Sequence, residues 1–380
     1  MEVAKAASLL AKELGPGDEP MIYLNIGEPD FTAAPRVQQK AIQAIQDGLS
    51  QYTPAVGIDP LRSSISAWYQ SHFNLKIPSN RIIITSGASS ALQLACLALI
   101  ETGDEILMPD PSYPCNRHFI SSCQGEAKLI ACGAQSGYQL DLQQVKTHWS
   151  TRTKGVLLAS PSNPTGTSIA FEELRKIHDF VQSKNAITLV DEIYLGLSFS
   201  EEPARSALAL GEEVISINSF SKYFNMTGWR LGWMVVPETL VEPIERLAQN
   251  LFICPSAIAQ HAALACFDKE SLALFEERKA SFKSRRDFLV QSLKDLGFQV
   301  PATPDGAFYI WANCQDVYKH LGVDNSWDFT FELMKKAHIA VAPGRDFGHN
   351  QTDHFIRLST ANSMQNLVQA VQRMKALFNA

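Results

Sequence analysis

The stretch SFSKYFNMTGWR, residues 219–230, sets one lysine, Lys222, beside Ser221 and near Ser219, and puts Arg230 behind a Gly-Trp pair. Just upstream, EEVISIN (212–218) carries the β-branched residues of a buried strand. Lys222 therefore falls just past the carboxyl end of a strand, where open α/β sheets bind their ligands. A lysine placed there for solubility would be unusual. The placement suits an ε-amine that acts as a nucleophile and forms a Schiff base, with hydroxyls and an arginine nearby to hold a phosphate.

The chain around that stretch alternates short apolar strands with helical segments. RIIITSG (81–87), EILMP (105–109), AKLIAC (127–132), GVLLAS (155–160), AITLV (186–190), VISIN (214–218) and LGWMVV (231–236) read as strands. FEELRKIHDFVQSK is one of the helical stretches between them. This alternation predicts a mostly parallel sheet flanked by helices, with functional residues gathered at the carboxyl ends of the strands. Beyond residue 245 the pattern changes. A long charged helix is expected over 272–296, then GAFYIWA (306–312), HIAVAPGRDFG (338–348), FIRLSTA (355–361) and a closing helix over 363–379. The expected fold is α/β: a three-layer large domain over 31–270, with a smaller α+β domain built from both chain ends, 1–30 and 271–380.

Composition bounds what such a chain does. With 380 residues, 46% apolar and 19% charged, it builds a substantial core. A formal charge of −6 speaks against a nucleic-acid partner. No run of some 18 apolar residues appears, so no membrane span is expected. The start, MEVAKAASLLAKELG, reads as an amphipathic helix without a cleavage site, unlike a secretory signal. Seven cysteines, odd in number and without a C-x-x-C pair, fit reduced thiols and no metal site. A cytoplasmic protein is expected.

Several strand ends carry chemistry. After GVLLAS comes PSNPTG, whose two prolines fix a loop around Asn163. After AITLV comes DEIY, with Asp191 and Tyr194. A carboxylate at the end of an apolar strand needs a cationic partner to offset its desolvation. PSYP, after EILMP, holds Tyr113 between prolines where it can present a ring face. The Gly-Ala-Ser turn after RIIITSG opens a helix at Ala88 and Ser89, a place where backbone N–H groups and the helix dipole receive an anion. Three other residues stay open at this level. Gly27 in NIGEPDF is ordinary turn punctuation or a point where backbone must approach a ligand. Tyr52 is a surface tyrosine in a polar loop or something more. Arg357, alternating with apolar neighbours in FIRLSTA, binds a carboxylate in a fork or forms an internal salt bridge.

Taken together these residues meet the needs of pyridoxal 5′-phosphate one by one. Lys222 offers the amine for its aldehyde and Asp191 a carboxylate for its ring nitrogen. Asn163 and Tyr194 offer donors to its phenolic oxygen. Ala88, Ser89, Ser219 and Arg230 form a cup for its phosphate, and Tyr113 a ring to stack on it. With NIGEPDF, YTPAVGIDPLR, TSGASSAL, PSNPTG, VDEIY, SFSKYFNMTGWRLG, PGRDFG and FIRLSTA in this order from residue 25 to 361, the chain resembles the class I/II aminotransferases, pyridoxal-phosphate enzymes of fold type I.

The resemblance implies ping-pong transfer of the α-amino group of an L-amino acid to a 2-oxo acid through a Lys222 aldimine, with Lys222 also the proton carrier. It implies that Arg357, helped by Asn163 and the backbone at Gly27, grips the substrate carboxylate. It implies too that Tyr52 reaches the phosphate of the neighbouring subunit, so that a homodimer with sites at the subunit interface is the active form. Residues 247–268 contain no Lys or Arg, which speaks against a partner arginine for a dicarboxylate substrate. Arg36 and Arg117 are the substitutes to consider, and Ile26 and Phe31 suggest a neutral donor. A C–S β-lyase on the same fold is the alternative enzyme. The aminotransferase-like sensor module of a transcription regulator is the non-enzymatic one, disfavoured because the chain starts at the fold itself.

Overall fold

The computed structural model describes residues 2–200 and 203–378. Its strands, in chain order, are β1 (Ile22–Tyr23), β2 (Ile82–Thr85), β3 (Glu105–Asp110), β4 (Glu126–Ala131), β5 (Thr153–Ala159) and β6 (Ile187–Asp191). They continue with β7 (Ile215–Ser219), β8 (Gly232–Val235), β9 (Tyr309–Asn313), β10 (Ile339–Ala340), β11 (Ala342–Pro343) and β12 (Phe355–Ser359). Seven of them form one sheet in the order β2-β8-β7-β6-β5-β3-β4. Only β8 runs antiparallel to its neighbours; the other pairs are parallel.

Strands so rich in Ile, Leu and Val are expected to be covered on both faces, and they are. Successive side chains point to opposite faces of a strand. Accordingly Ile82, Ile84, Val156, Leu158 and Val190 join one apolar core, while Ile83, Leu157, Leu189, Ile215 and Ile217 join another across the sheet. Helices close both cores, giving three layers.

A second framework lies in the carboxyl-terminal part. Strands β11-β12-β9 form an antiparallel sheet, and β1 pairs with β10 in a short parallel ladder. Their core joins Ile22 and Leu24 from the chain start to Leu289, Ile310, Ile356, Leu358 and Met374. The helix Lys269–Asp295 links the two frameworks. Its 27 residues span about 40 Å. Phe275 and Phe282 sit in the main core and Leu289 and Leu293 in the second. This helix starts three residues before the expected 272, because Lys269 and Glu270 are polar and add nothing to the apolar periodicity. The piece 338–348, expected as one strand, divides: β10 pairs with β1 and β11 with β12, so one stretch serves two sheets.

Candidate active site

Register carries the strand ends to one place. In the parallel ladders Ala159 lies opposite Asp191, and Asp191 opposite Ile217, while Ser219 faces Gly232 across the antiparallel β7–β8 pair. The loops leaving β5, β6 and β7 therefore border one cavity of about 320 Å³, completed by Gly27, Tyr309 and Arg357 from the second framework.

Lys222 lies three residues past β7, and its Nζ donates to the carbonyl of Gly27 at 2.6 Å. Burial, seconded by the Arg357 charge, lowers its ammonium to about 8. The free amine that a nucleophile requires is then far more accessible near neutral pH than in an ordinary lysine.

Asp191 ends β6 and is 4% exposed. It accepts the backbone N–H of Ile193 at 3.2 Å and has no salt-bridge partner among the described residues. Burial raises its carboxyl to about 6, only partly countered by that hydrogen bond and the Lys222 charge. A buried carboxylate facing a cavity without a paired cation is complementary to a protonated ring nitrogen.

Arg357 sits in the middle of β12, between Ala342 of β11 and Trp311 of β9. It is 6% exposed. Its guanidinium is held by neutral groups: Nη1 donates to Asn163 Oδ1 at 2.9 Å and Nη2 to the Asn25 carbonyl at 2.6 Å. The rings of Tyr309 and Phe347 lie 4.4 and 4.8 Å from the guanidinium carbon. Nε is buried with no acceptor. No carboxylate of the described residues pairs with Arg357, so the internal salt bridge is not what holds it. Since the Asn163 oxygen is occupied by Arg357, that side chain has only amide N–H groups left to give to a ligand.

The residues expected to form an anion cup gather at the start of the helix Ala88–Leu99, whose N-cap, Gly87, provides no side-chain cap. The first N–H groups of a helix lack internal partners. Gly87 has φ +84°, and a Cβ there would lie 2.7 Å from Arg230 Nη2, so glycine meets both the conformation and the close approach of the guanidinium. Arg230 itself donates to the Thr227 carbonyl at 3.0 Å. Ala88, Ser89 and Ser219 border the same cavity, as does Tyr113. Helix N–H groups, hydroxyls and an arginine at one end, and a buried carboxylate with a lowered lysine at the other, fit pyridoxal 5′-phosphate.

Tyr52 is the exception. It is 81% exposed and does not border the cavity of its own chain. Arg36 and Arg117 also lie outside it: Arg36 pairs with Asp268 and Glu270 on the surface, and Arg117 donates to the Asp346 carbonyl. Phe31 packs edge-on against Phe282, with the guanidiniums of Arg278 and Arg285 each 5.0 Å from its ring, and Ile26 is 44% exposed. Ser221, read beside Lys222 in the sequence, borders the cavity. Sequence reasoning missed Tyr309, whose hydroxyl lies 2.8 Å from that of Tyr194, and the bordering Thr227. Thr227 lies five residues past Lys222 in the same stretch and could be found by proximity. Tyr309 gave no local signal.

Comparison with known proteins agrees with this geometry. The family described as aminotransferase class I and II matches residues 19–374. The chain is 34% identical over 355 residues to a valine–pyruvate aminotransferase of Mycobacterium tuberculosis, covering 93% of this chain and 90% of that one. It is 31% identical over 368 residues to an aspartate aminotransferase of Rhizobium meliloti, covering 94% and 89%. Among solved structures, an aminotransferase from Mycobacterium tuberculosis superposes with a TM-score of 0.94 at 33% identity, over 100% of this chain and 96% of that one. The chain belongs to the class I and II aminotransferases and is an enzyme that depends on pyridoxal 5′-phosphate.

Proposed function

We propose that this aminotransferase moves the α-amino group of a neutral L-amino acid to a 2-oxo acid in two half-reactions. One observation carries the neutral assignment. Only Lys222, Arg230 and Arg357 bring cationic side chains to the cavity from the described residues. All three are already engaged, with amine chemistry, the phosphate and the α-carboxylate respectively. None is left for a second substrate carboxylate. The relatives' names range over several donors, valine–pyruvate and aspartate among them, and of these two the cavity favours the first.

When bound, pyridoxal 5′-phosphate supplies an aldehyde that exchanges amines and a ring that accepts the electron pair left at Cα. The chain's residues do the rest. Lys222 Nζ would hold the cofactor at its aldehyde, and as a free amine in the same cavity it is placed to take the Cα proton. Asp191, ionised, holds a proton at the ring nitrogen. Tyr194 and Asn163 would donate to the phenolic oxygen, and Tyr113 would offer its ring face for stacking. Ala88, Ser89, Ser219 and Arg230 receive the phosphate. Arg357 receives the substrate carboxylate, with Asn163 and the Gly27 backbone beside it. Residues 1–30 and 271–380 act as a small domain that closes over residues 31–270 and excludes water from the reacting carbon.

The active form in this reading is a homodimer in which Tyr52 reaches the partner's phosphate. Its support is the exposure of Tyr52 together with large apolar side chains such as Ile42 (57%), Ile45 (58%) and Leu251 (51%), more than a lone surface residue explains. The seven free cysteines favour a cytoplasmic, reducing location. No described helix is long and apolar enough to cross a membrane.

A half-reaction screen tests the assignment. Alanine, valine, phenylalanine and aspartate are added singly to holoenzyme without acceptor, and the cofactor absorbance is followed. A neutral donor is expected to convert the cofactor stoichiometrically, a 2-oxo acid to reverse the change, and aspartate to react at least about tenfold more slowly. Aspartate as the fastest donor would overturn the neutral reading. Added in the same way, a cysteine S-conjugate, which carries a leaving group on its β-carbon, is the lyase control: catalytic release of pyruvate, ammonia and the thiol from it without acceptor would instead mark the enzyme as a lyase.

A further inference from the structure

Tyr309 plays no part in the chemistry described so far, yet it meets three parts of the site. It opens β9 opposite Ser359 of β12, and shares a sheet face with Trp311 and Arg357. Its ring carries the Arg357 guanidinium at 4.4 Å. Its hydroxyl lies 2.8 Å from the Tyr194 hydroxyl. That same hydroxyl occupies the space a Cβ on residue 27 would take, so Gly27, whose carbonyl receives Lys222 Nζ, has to be glycine. Tyr309 is 1% exposed and borders the cavity.

The direction of the bond between the two phenols follows from counting protons. A phenol has one proton to give and lone pairs to receive. Burial pushes both phenols above their ordinary range, so both stay protonated. If Tyr194 gives its only proton to an oxygen in the cavity, the 2.8 Å contact is a hydrogen bond only with Tyr309 as donor.

We propose that Tyr309 is a positioning residue: its hydroxyl donates to Tyr194, turns the Tyr194 proton toward the phenolic oxygen of the cofactor, and strengthens that donation. The inference rests on the reading of Tyr194 as the donor to that oxygen. Hydrogen bonds in a chain polarise one another, so the Tyr309 proton acts at the cofactor without touching it. Donation to the phenolic oxygen favours its anionic form. The pair of tyrosines therefore lowers the pH at which the lysine-linked cofactor gives up its proton.

The test is a pH titration of holoenzyme absorbance for the wild type, Tyr309→Phe, Tyr194→Phe and the double variant. Phenylalanine keeps the ring under Arg357 and fills the same space, so the fold is retained. Tyr309→Phe is expected to raise the midpoint by roughly half a pH unit, and Tyr194→Phe to raise it further. The double variant is expected to match Tyr194→Phe within about 0.3 unit, because the Tyr309 hydroxyl acts only through Tyr194. A midpoint unmoved by Tyr309→Phe, or a Tyr309 shift that persists in full in the Tyr194→Phe background, would overturn the proposal. A Tyr194→Phe midpoint equal to the wild type would overturn the donor reading of Tyr194 and the Tyr309 role with it, and the single variant alone reveals that case.

Discussion

Lys222→Ala is expected to lower transamination turnover by at least about 10⁴-fold, the largest loss of any single substitution in this chain. One nitrogen has two roles. Nζ links the cofactor, and the same atom is the base for the Cα proton. Nothing nearby replaces it, since the cavity's other cations are arginines, which stay protonated. The variant still binds cofactor noncovalently, because the helix N-terminus at Ala88, Arg230 and the Asp191 carboxylate are untouched. Steady-state kinetics with a neutral donor, beside cofactor retention after dialysis, check both halves. Comparable turnover in the variant would remove the basis for the assignment.

Arg357→Ala is expected to weaken amino-acid binding by about 100-fold, roughly 3 kcal/mol, with a smaller change in kcat. The size of the loss follows from how the guanidinium is held. Asn163, the Asn25 carbonyl and two ring faces orient it without neutralising it, and its Nε has no acceptor. A buried cation kept without a counter-charge gains most from a carboxylate that arrives with the substrate. Arg357→Lys is expected to recover only part of the loss, since a point charge on a flexible stem does not reproduce the fork. The Kd of 2-methylalanine, which has no Cα proton to lose, isolates binding from chemistry. An unchanged Kd in Arg357→Ala would count against the carboxylate role.

The large sheet was legible because its strands are covered on both faces, so that VISIN or GVLLAS reads as a strand without reference to anything else. The residues directly after those strands were legible for the same reason: Lys222, Asp191 and Asn163 sit where chain polarity alone delivers them. What lies beyond the strand ends was harder to read. The helix Glu238–Phe252 carries Pro243 inside it, which disguises its periodicity. Stretch 338–348 serves two sheets, a division that depends on partners far along the chain. Tyr309 meets Tyr194 across 115 residues, and no spacing within GAFYIWA announces that meeting. Gly27, ambiguous as a turn residue, acquires its reason only when the Tyr309 hydroxyl is seen in the place of its side chain. Arg357 illustrates the same limit. The residue type suggested either a ligand or a salt bridge, and only the structure, where no carboxylate of the described residues pairs with it, removes the salt bridge.

The central claim is that the stretch 219–230 holds the cofactor through Lys222. Reduction of the holoenzyme with borohydride, followed by proteolysis and mass spectrometry of the peptides, tests it most directly. One pyridoxyl-phosphate adduct per chain is expected, on the peptide containing Lys222 and at that residue. An adduct on another lysine, or a fully active holoenzyme that yields no adduct, would contradict it.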